Sequence, residues 1–545
     1  MARILLVEDD PDQRLLRRLI LERAGYEVNP AASPAEALTP RPTPPDCVLM
    51  DLRLPQVADG LQLIRSLRLL HPNLPIAVLS GRTHELDAAP ESQLVQATLA
   101  KPIRTEMLLK TLARLTAALA LLLLLPWAAS AQSRDFSFQL PAPAEVIAQL
   151  TLASPGSDWS IPSREAATAL LTLDQTSTQQ VTVFGTPQPH TYTVFLGPLR
   201  PGPHTLHIER DPKLSAANSP LEIAAARFES ILPSDPRYLP LAHAPVLLPR
   251  ADTVGRFSDT PLLAYYTRGA DDAGPWLEYT VIFSNEDGGT STRDLMARWG
   301  RTTDIEYLYR VWLDPQGRPS KTLIQTREHK DVPYEGRREA LHPILCPVTE
   351  INMVEPAPAG PTPIRYQLVP VFADLAQASR EIVMDHNPLT YRISAQELIR
   401  EDKLRPPATP GGDRISDPRL YLIVEAKVAS ERAAIQLLVR RRNSTKWTGS
   451  ATGIGKDYIE RSGWVRATIE LPRGTRLSDI AEIGAQCLSR RDLERQPIPK
   501  NGLCRLEAFG KVFFLGNDYT PQPPLKLPNP NWQLQIGEME TLSLP

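Results

Sequence analysis

Cysteine is scarce in this chain, which has four cysteines among 545 residues. No CxxC pair is present, and no cysteine stands beside histidines at zinc-site spacing, so no zinc module is predicted. A bias toward one charge sign is also missing, because the formal net charge is −2 and acidic and basic residues are interspersed. A chain without a basic tail or patch is not expected to bind nucleic acid.

One long apolar run is nevertheless present. Residues 115–133, LTAALALLLLLPWAASAQS, contain no charged residue, and a helix of about 20 residues crosses about 30 Å of hydrocarbon. Several basic residues precede the run, and Arg134 is the only one that follows it closely. The positive-inside rule then places residues 1–114 in the cytoplasm. We therefore predict a transmembrane or signal-anchor helix at 115–133, with residues 134–545 exported.

The same run also fits a cleaved signal peptide. From Met107 the chain has a basic start, an apolar middle and an Ala-Ser-Ala end at 129–131, which is the order of a secretory signal. Two interpretations stay open. The chain is either anchored in a bacterial inner membrane with a periplasmic or extracellular region, or it is an exported, cell-surface β-rich binding protein. In the second case it is cleaved and secreted from about residue 132, and gene fusion or a misassigned start joins it to the N-terminal domain.

The N-terminal part alternates short apolar runs with helical patterns. Each apolar run ends in polar residues, at Glu8-Asp9, Asp51, Ser80 and Lys101. Strands that alternate with helices predict a parallel sheet with helices on both faces. Functional groups of such sheets sit at the carboxyl ends of the strands. We therefore expect these polar side chains to lie together.

Their chemistry indicates phosphoryl transfer. Converging carboxylates repel each other, and Mg²⁺, which prefers oxygen ligands and phosphates, relieves that repulsion. Asp51 could attack a phosphoryl donor and form an acyl phosphate. Lys101 would neutralise phosphoryl oxygens as a point charge, and the Ser80 hydroxyl could donate to the new phosphate. Phosphoryl transfer needs little beyond this positioning and electrostatic support.

The motifs LLVEDDP (5–11), VLMDLRLP (48–55), DGLQLIRSLR (59–68), LSGR (79–82) and LAKP (99–102) resemble, in order and spacing, those of two-component response-regulator receiver domains. The resemblance implies a flavodoxin-like α/β fold with a five-stranded parallel sheet over residues 1–114. It also implies a sensor histidine kinase, or a phosphotransfer protein, as the phosphoryl donor.

The resemblance gives roles to the residues at the strand ends. They are the phosphoacceptor Asp51, the Mg²⁺ ligands Glu8, Asp9, Asp51 and Arg53 (through its backbone carbonyl), and the phosphate and switch residues Ser80 and Lys101. Asp9 is the expected direct ligand. One position departs from the family pattern, because Thr98 stands three before the lysine where an aromatic residue is usual. The aromatic part of the family's output switch is therefore in doubt.

The region after the apolar run is predicted to be mostly β. Alternating apolar residues between proline and glycine turns indicate β-sandwich-like modules at 134–232 and 416–530. A β-rich unit of unknown function separates them at 236–405. The sequence names no ligand for this exported region.

Two motifs stand out in the middle unit. In SNEDGGT (284–290), Asn285, Glu286 and Asp287 offer oxygens to Ca²⁺. The Asp-Gly pair is, however, typical of a hairpin turn between strands, and we favour that interpretation.

In the second motif, WGRTTDIE (299–306), alternation places Asp304 and Glu306 on one strand face. An exported hydrolase that uses this carboxylate pair is a third interpretation. Around residues 240–315 the chain is faintly similar to a vacuolar-protein-sorting-associated family, from which no chemistry is carried over.

Three of the four cysteines follow the apolar run, so at most one bridge can form among them. Cys487 and Cys504 would close a loop of ordinary size and are predicted to pair, which leaves Cys346 free. Cys47 precedes the run and is expected to be a reduced, buried thiol.

Overall fold

The computed structural model describes residues 2–39, 45–70, 74–81, 84–87, 89–101, 103, 105, 107–112, 115, 133–185, 187–358, 360, 364–406, 414–451, 457–489 and 501–544. The chain divides into two compact units, Met1–Ala129 and Ser130–Pro545. Each unit is considered by itself.

The first unit is an α/β domain with one sheet. Its strands are β1 (Arg3–Val7), β2 (Glu27–Ala31), β3 (Cys47–Asp51), β4 (Ile76–Ser80) and β5 (Ala97–Ala100). Its helices are α1 (Pro11–Arg23), α2 (Pro34–Ala37), α3 (Val57–Leu70), α4 (His84–Asp87) and α5 (107–112), with a 3₁₀ turn at Pro90–Leu94. The strands lie in the order β2-β1-β3-β4-β5, and all neighbours are parallel. The predicted five-stranded parallel sheet is confirmed.

Both faces of this sheet are buried, which explains the uninterrupted apolar strands. Along β1, Leu5 and Val7 belong to one core cluster with Leu63 of α3, whereas Ile4 and Leu6 belong to the other. A parallel sheet covered on both sides needs apolar residues at consecutive positions. Polar residues therefore collect at the strand ends, where the functional edge lies.

Two local features fix the helices beside that edge. The Asp10 side chain caps α1 by accepting hydrogen bonds from the backbone N–H groups of Asp12 and Gln13, both at 2.9 Å. Gly60 in α3 lies against the loop after β3, where a Cβ would come 1.9 Å from the Leu52 carbonyl oxygen. Glycine is therefore required for α3 to pack next to Asp51.

The second unit begins with a β-sandwich. Its strands are β6 (Ser133–Leu140), β7 (Ala144–Ala153), β8 (Thr168–Leu173), β9 (Ser177–Thr182), β10 (His190–Leu199), β11 (Gly202–Arg210) and β12 (Glu222–Ile231). They form a three-stranded sheet, β10-β7-β12, and a four-stranded sheet, β6-β11-β8-β9. Apolar residues of both sheets share one core, as alternation along the strands predicts.

The middle part is built on a six-stranded sheet, β18-β17-β16-β15-β14-β22, and a smaller sheet, β13-β20-β19, with β21 paired to β20. Its strands are β13 (Val246–Leu247), β14 (Pro261–Asp271), β15 (Gly274–Phe283), β16 (Ile305–Leu313), β17 (Pro319–Gln325), β18 (Asp331–Pro333), β19 (Arg338–Glu339), β20 (His342–Pro347), β21 (Val354–Pro356) and β22 (Val371–Phe372). Its helices are α6 (Tyr238–Ala242), α7 (Ala251–Val254), α8 (Thr292–Trp299), α9 (Ile382–His386) and α10 (Leu389–Arg400).

The last part is a second sandwich. Its strands are β23 (Tyr421–Glu431), β24 (Ala433–Arg441), β25 (Trp447–Gly449), β26 (Gly463–Glu470), β27 (Ile480–Ser489), β28 (Leu503–Phe513), β29 (Trp532–Gln535) and β30 (Met539–Ser543), with 3₁₀ turns at Pro418–Leu420 and Leu477–Asp479. The sheets are β26-β23-β28-β29 and β25-β24-β27-β30. A disulfide joins Cys487 of β27 to Cys504 of β28, one strand from each sheet, with Cα atoms 5.6 Å apart. Cys346 and the buried Cys47 are free.

A buried ion network fastens this sandwich to the middle part. The guanidinium of Arg466, on β26, is fully buried and donates to both carboxylate oxygens of Asp385, on α9, at 2.7 and 2.8 Å. Lys511 of β28 contacts the same carboxylate at 2.8 Å, and Arg466 Nε donates to Glu425 at 3.2 Å. These pairs hold the pKa of Asp385 down at about 2 against the opposing effect of burial.

The predicted membrane helix falls largely outside the described residues. Of the run 115–133, Leu115 and Ser133 are described. Among the helices that the structure describes, none is long and apolar enough to cross a membrane. The transmembrane or signal helix therefore stays a prediction.

Candidate functional site

The candidate site lies at the carboxyl edge of the first unit's sheet. β1 pairs with β3, so Glu8 and Asp9, which follow β1, meet Asp51 at the end of β3. One oxygen from each of the three carboxylates lies within 4.8 Å of the others. Glu8 is buried, Asp9 is exposed, and the Asp51 side chain is 12% exposed. The predicted acidic cluster is thus open to solvent on one side, as a metal or phosphate site must be.

A lysine that follows the edge strand β5 reaches the cluster. Lys101, which follows β5, places Nζ 2.5 Å from Asp51 Oδ2 and 3.7 Å from Glu8 Oε2. Its backbone N–H donates to the Ser80 carbonyl oxygen at 2.9 Å, which ties the ends of β4 and β5 together. Lysine and hydroxyl side chains therefore stand at the same edge as the carboxylates. This arrangement can balance negative charge that is added to Asp51.

The loop after β3 folds back onto Asp51. The backbone N–H of Arg53 donates to Asp51 Oδ1 at 3.3 Å, and the Arg53 side chain pairs with Glu85 at 2.8 Å. Arg53 is thereby held two residues beyond the candidate phosphoacceptor, where its carbonyl can serve as a ligand. The structure brings Glu8, Asp9, Asp51 and Lys101 together, and Ser80 stands at the end of the neighbouring strand β4.

Two arginines of α1 were not predicted. Arg17 forms an ion pair with Glu8, and the Arg17 side chain is only 9% exposed. Its burial lowers the pKa of the guanidinium, while the charge of Asp51 acts in the opposite direction. Arg14 donates to the backbone carbonyls of Glu8 at 2.6 Å and Asp9 at 3.1 Å. The available signal was that Arg14 and Arg17 stand three apart on the helix that begins directly after the acids.

The SNEDGGT segment is not a hairpin turn, so the favoured interpretation of it was wrong. It follows β15 and leads into α8, which precedes β16. The two glycines are needed for different reasons. A Cβ on Gly288 would lie 2.4 Å from a Glu350 oxygen, and Gly289 has a φ of +75°, which other residues rarely adopt. Glu286 accepts from the Thr290 N–H at 3.0 Å, whereas Asp287 lies with Glu397 and Glu401, one oxygen of each within 4.8 Å of the others.

The second motif supplies a carboxylate pair in which Asp304 is buried and Glu306 is half-buried. Asp304 is fully buried and accepts a hydrogen bond from Asn352 Nδ2 at 2.9 Å. Burial raises the pKa of both Asp304 and Glu306, and repulsion between them raises the pKa of Asp304 further. Glu306 faces a cleft of about 430 Å³ that is lined by Glu286, Trp299, Arg301, Glu306, His329 and Arg380, among others.

Comparison with known proteins bears on the first unit. The family model described as the response regulator receiver domain matches residues 4–113. The transcriptional regulatory protein PrrA of Mycobacterium leprae is 37% identical over 82 residues, which are 15% of this chain and 35% of PrrA. A response regulator receiver protein of Anaeromyxobacter sp. is 39% identical over 111 residues, which are 20% of this chain and 43% of that protein.

Among solved structures, the response regulator TrrA of Thermotoga maritima, in complex with Mg²⁺ and BeF, is 27% identical, with a TM-score of 0.20. The alignment covers 21% of this chain and 99% of TrrA. The chain spans about a third of the length of the curated relative PrrA.

Proposed function

We propose that this chain, whose residues 4–113 are a response regulator receiver domain, accepts a phosphoryl group on Asp51 in a two-component phosphorelay. The observation that carries the proposal is the contact of 2.5 Å between Lys101 Nζ and Asp51 Oδ2, beside Glu8 and Asp9 at one sheet edge. A carboxylate that is partly exposed and already paired with a lysine is placed to react and to have its product neutralised.

In the proposed reaction, an Asp51 oxygen attacks the phosphorus of a phosphohistidine. The phosphorus–nitrogen bond of the donor breaks and an acyl phosphate forms. Lys101 then turns from the carboxylate toward the added phosphoryl oxygens. In this proposal the Ser80 hydroxyl, at the end of β4, donates to another of those oxygens.

The donor set fits Mg²⁺, since three carboxylates converge and one of them, Asp9, is exposed to solvent. Asp9, Asp51 and the Arg53 carbonyl would hold the ion directly, with Glu8 behind them. When bound, the ion supplies positive charge to the phosphoryl oxygens. Without the ion, Arg17 and Lys101 offset part of the negative charge of the carboxylates.

Labelling of the full chain by acetyl phosphate and Mg²⁺ tests the assignment. The wild type should acquire a label that hydroxylamine releases, as it does from an acyl phosphate, and Asp51→Asn should not. Asp12→Asn, which changes an exposed acid on α1, is the matched control and should label normally. A persistent label on the Asp51→Asn protein would contradict the proposal.

The donor is proposed to be a sensor histidine kinase or a phosphotransfer protein. Support comes from α1, where Leu15, Leu16 and Leu19 are each more than half exposed near the site. Apolar side chains grouped on a surface favour a protein contact. Leu15→Ser with Leu19→Ser should slow transfer from any kinase that phosphorylates the wild type, while labelling by acetyl phosphate stays unchanged. Equal slowing of both reactions would argue against a docking role.

We also propose that residues 115–133 anchor the chain in a bacterial inner membrane, with the β-rich region exported. The boundary between the two compact units lies in this run, and the Cys487–Cys504 disulfide suits an oxidising compartment. Cell fractionation tests the arrangement. A full-length band in membranes is expected, a secreted fragment from about residue 132 would favour the cleaved alternative, and a full-length soluble band would contradict both.

A further inference from the structure

The cleft beside β16 in the second unit carries side chains of both charges that do not pair with each other. Its volume of about 430 Å³ suits one small organic molecule. Glu286, which follows β15, Glu306, on β16, and Arg380, just before α9, all line it. Within the described residues, neither of the two acids forms an ion pair. A ligand that bridges the acids and the arginine would therefore supply partners that the chain does not.

The guanidinium of Arg380 makes no hydrogen bond in the part of the chain that the structure describes. Its ion-pair partner is Glu381, but Arg380 Nε lies 3.8 Å from Glu381 Oε1, which is too far for a hydrogen bond. The same oxygen already accepts from Arg301 Nε at 3.2 Å. The Arg380 side chain is 34% exposed, so its planar fork of N–H donors can receive a carboxylate from solvent.

Behind Arg380, arginines share too few acids. Arg301, Arg380 and Arg461 all act on the single buried carboxylate of Glu381 and hold its pKa down. Arg461 Nη1 is buried without a hydrogen-bond partner among the described residues. Burial, together with repulsion by the neighbouring arginines, lowers the pKa of Arg461 to about 9 against the attraction of Glu381. A negative charge added at Arg380 would reduce this repulsion.

The two acids of the cleft lack a cation in the same way. Burial raises the pKa of Glu286 to about 7 and also raises the pKa of Glu306, although nearby arginines oppose both shifts. Glu286 accepts one hydrogen bond, from the Thr290 N–H at 3.0 Å. An ammonium group against these carboxylates would stabilise their ionised forms.

We propose that this cleft binds a free α-amino acid, with the ligand's carboxylate on Arg380 and its ammonium group on Glu306 and Glu286. A zwitterion satisfies both signs of charge. A dianion would be repelled by the two acids, and a polyamine would be repelled by Arg380. The site lies in the second unit and is independent of the phosphoacceptor in the first.

The remaining lining indicates which amino acids fit. Leu295, Trp299 and Ile351 also line the cleft. Apolar side chains in a cleft favour a ligand that removes apolar surface from water. L-Leucine should therefore bind more tightly than glycine, by about tenfold or more.

Calorimetric titration of the full chain with L-leucine and two blocked analogues tests the proposal. Leucinamide lacks the carboxylate and N-acetyl-L-leucine lacks the ammonium group, so each should bind at least about tenfold more weakly than L-leucine. The proposal is overturned if L-leucine gives no binding up to about 10 mM, because a ligand held by two charged contacts in a cleft reaches millimolar affinity. It is also overturned if the wild type binds leucinamide as tightly as L-leucine.

Substitutions assign each end of the ligand. Arg380→Met should bind L-leucine no better than leucinamide, and Glu306→Gln should bind it no better than N-acetyl-L-leucine. Arg473→Met, an exposed change after β26, is the control and should bind as the wild type does. Melting temperatures check that the variants fold.

Arg380→Lys keeps the charge without the planar fork and serves if Arg380→Met does not fold. It should bind L-leucine severalfold more weakly than the wild type, because a lysine does not form the paired hydrogen bonds. Unchanged affinity in Arg380→Lys, or undiminished preference for L-leucine over leucinamide in Arg380→Met, would overturn the assignment.

Discussion

Replacement of Asp385 by asparagine should destabilise the second unit by an amount that the buried ion network sets. Asp385 receives two hydrogen bonds from Arg466 and one from Lys511, and its side chain is 4% exposed. The pKa of Asp385 in the folded protein is about 2, against an ordinary value of 3.8. At 1.36 kcal/mol per pKa unit, ionisation of this carboxyl contributes about 2 kcal/mol to the free energy of unfolding at neutral pH.

The pH dependence gives the sign of the effect. Because the folded pKa is depressed, the contribution is complete above the unfolded pKa near 4 and disappears as the pH falls toward 2. The difference between wild type and Asp385→Asn should therefore be about 2 kcal/mol at pH 7 and roughly half as large near pH 3. Arg466→Met, which leaves the buried acids without their main partner, should cost more, about 3–5 kcal/mol.

Urea unfolding followed by tryptophan fluorescence measures these differences, since every tryptophan in the described residues belongs to the second unit. Asp272→Asn, an exposed change in the same unit, should leave the transition in place. An Asp385→Asn protein as stable as the wild type at pH 7 would refute the argument. The same conclusion would follow if the two proteins differed equally at pH 7 and pH 3.

Two further substitutions and one mapping experiment test other parts of the structure. Burial and repulsion by Asp287 and Asp304 raise the pKa of Asp259 to about 9. Above pH 4 the folded state therefore keeps a proton that the unfolded chain releases, and the free energy of unfolding falls as the pH rises to 9. Asp259→Asn should raise the urea midpoint at pH 8. It should also reduce the decrease of the free energy of unfolding with pH by up to about 1.4 kcal/mol per pH unit; an unchanged pH dependence would contradict the raised pKa. Gly60→Ala should destabilise the receiver domain by about 1–3 kcal/mol in thermal melts, because its Cβ would meet the Leu52 carbonyl; an unaltered melting temperature would show that the contact relaxes freely. Mapping of non-reduced peptides should find Cys487 joined to Cys504 with Cys346 free, and a bridge from Cys346 to either would contradict that pairing.

The receiver fold could be predicted because its physical causes are local. β1, β3 and β4 are covered on both faces, so their apolar runs are continuous and their ends are marked by charged or hydroxyl residues. Strand pairing then brings Glu8 and Asp51 together without any further information. Arg17 was missed because periodicity places a helical arginine in solvent, whereas here a buried acid balances its charge.

The second unit was less predictable because its interactions join distant residues. Asp287 and Glu397 meet only after the six-stranded sheet and α10 are packed, and no spacing in the sequence relates them. The Asp-Gly pair of SNEDGGT favoured a tight turn, but Gly288 is needed for close approach to Glu350. Arg466 and Asp385 likewise belong to different parts of the unit and carry no local signal of their contact.

The most direct test of the central claim is to locate the phosphoryl group chemically. Borohydride reduction of the acetyl-phosphate-treated full chain converts an aspartyl phosphate to homoserine, which tandem mass spectrometry assigns to one position. The contacts of Asp51 with Lys101 and the Arg53 N–H predict homoserine at position 51 and at no other acid of the cluster. Homoserine at position 9 or 10, with residue 51 still aspartate, would contradict the account.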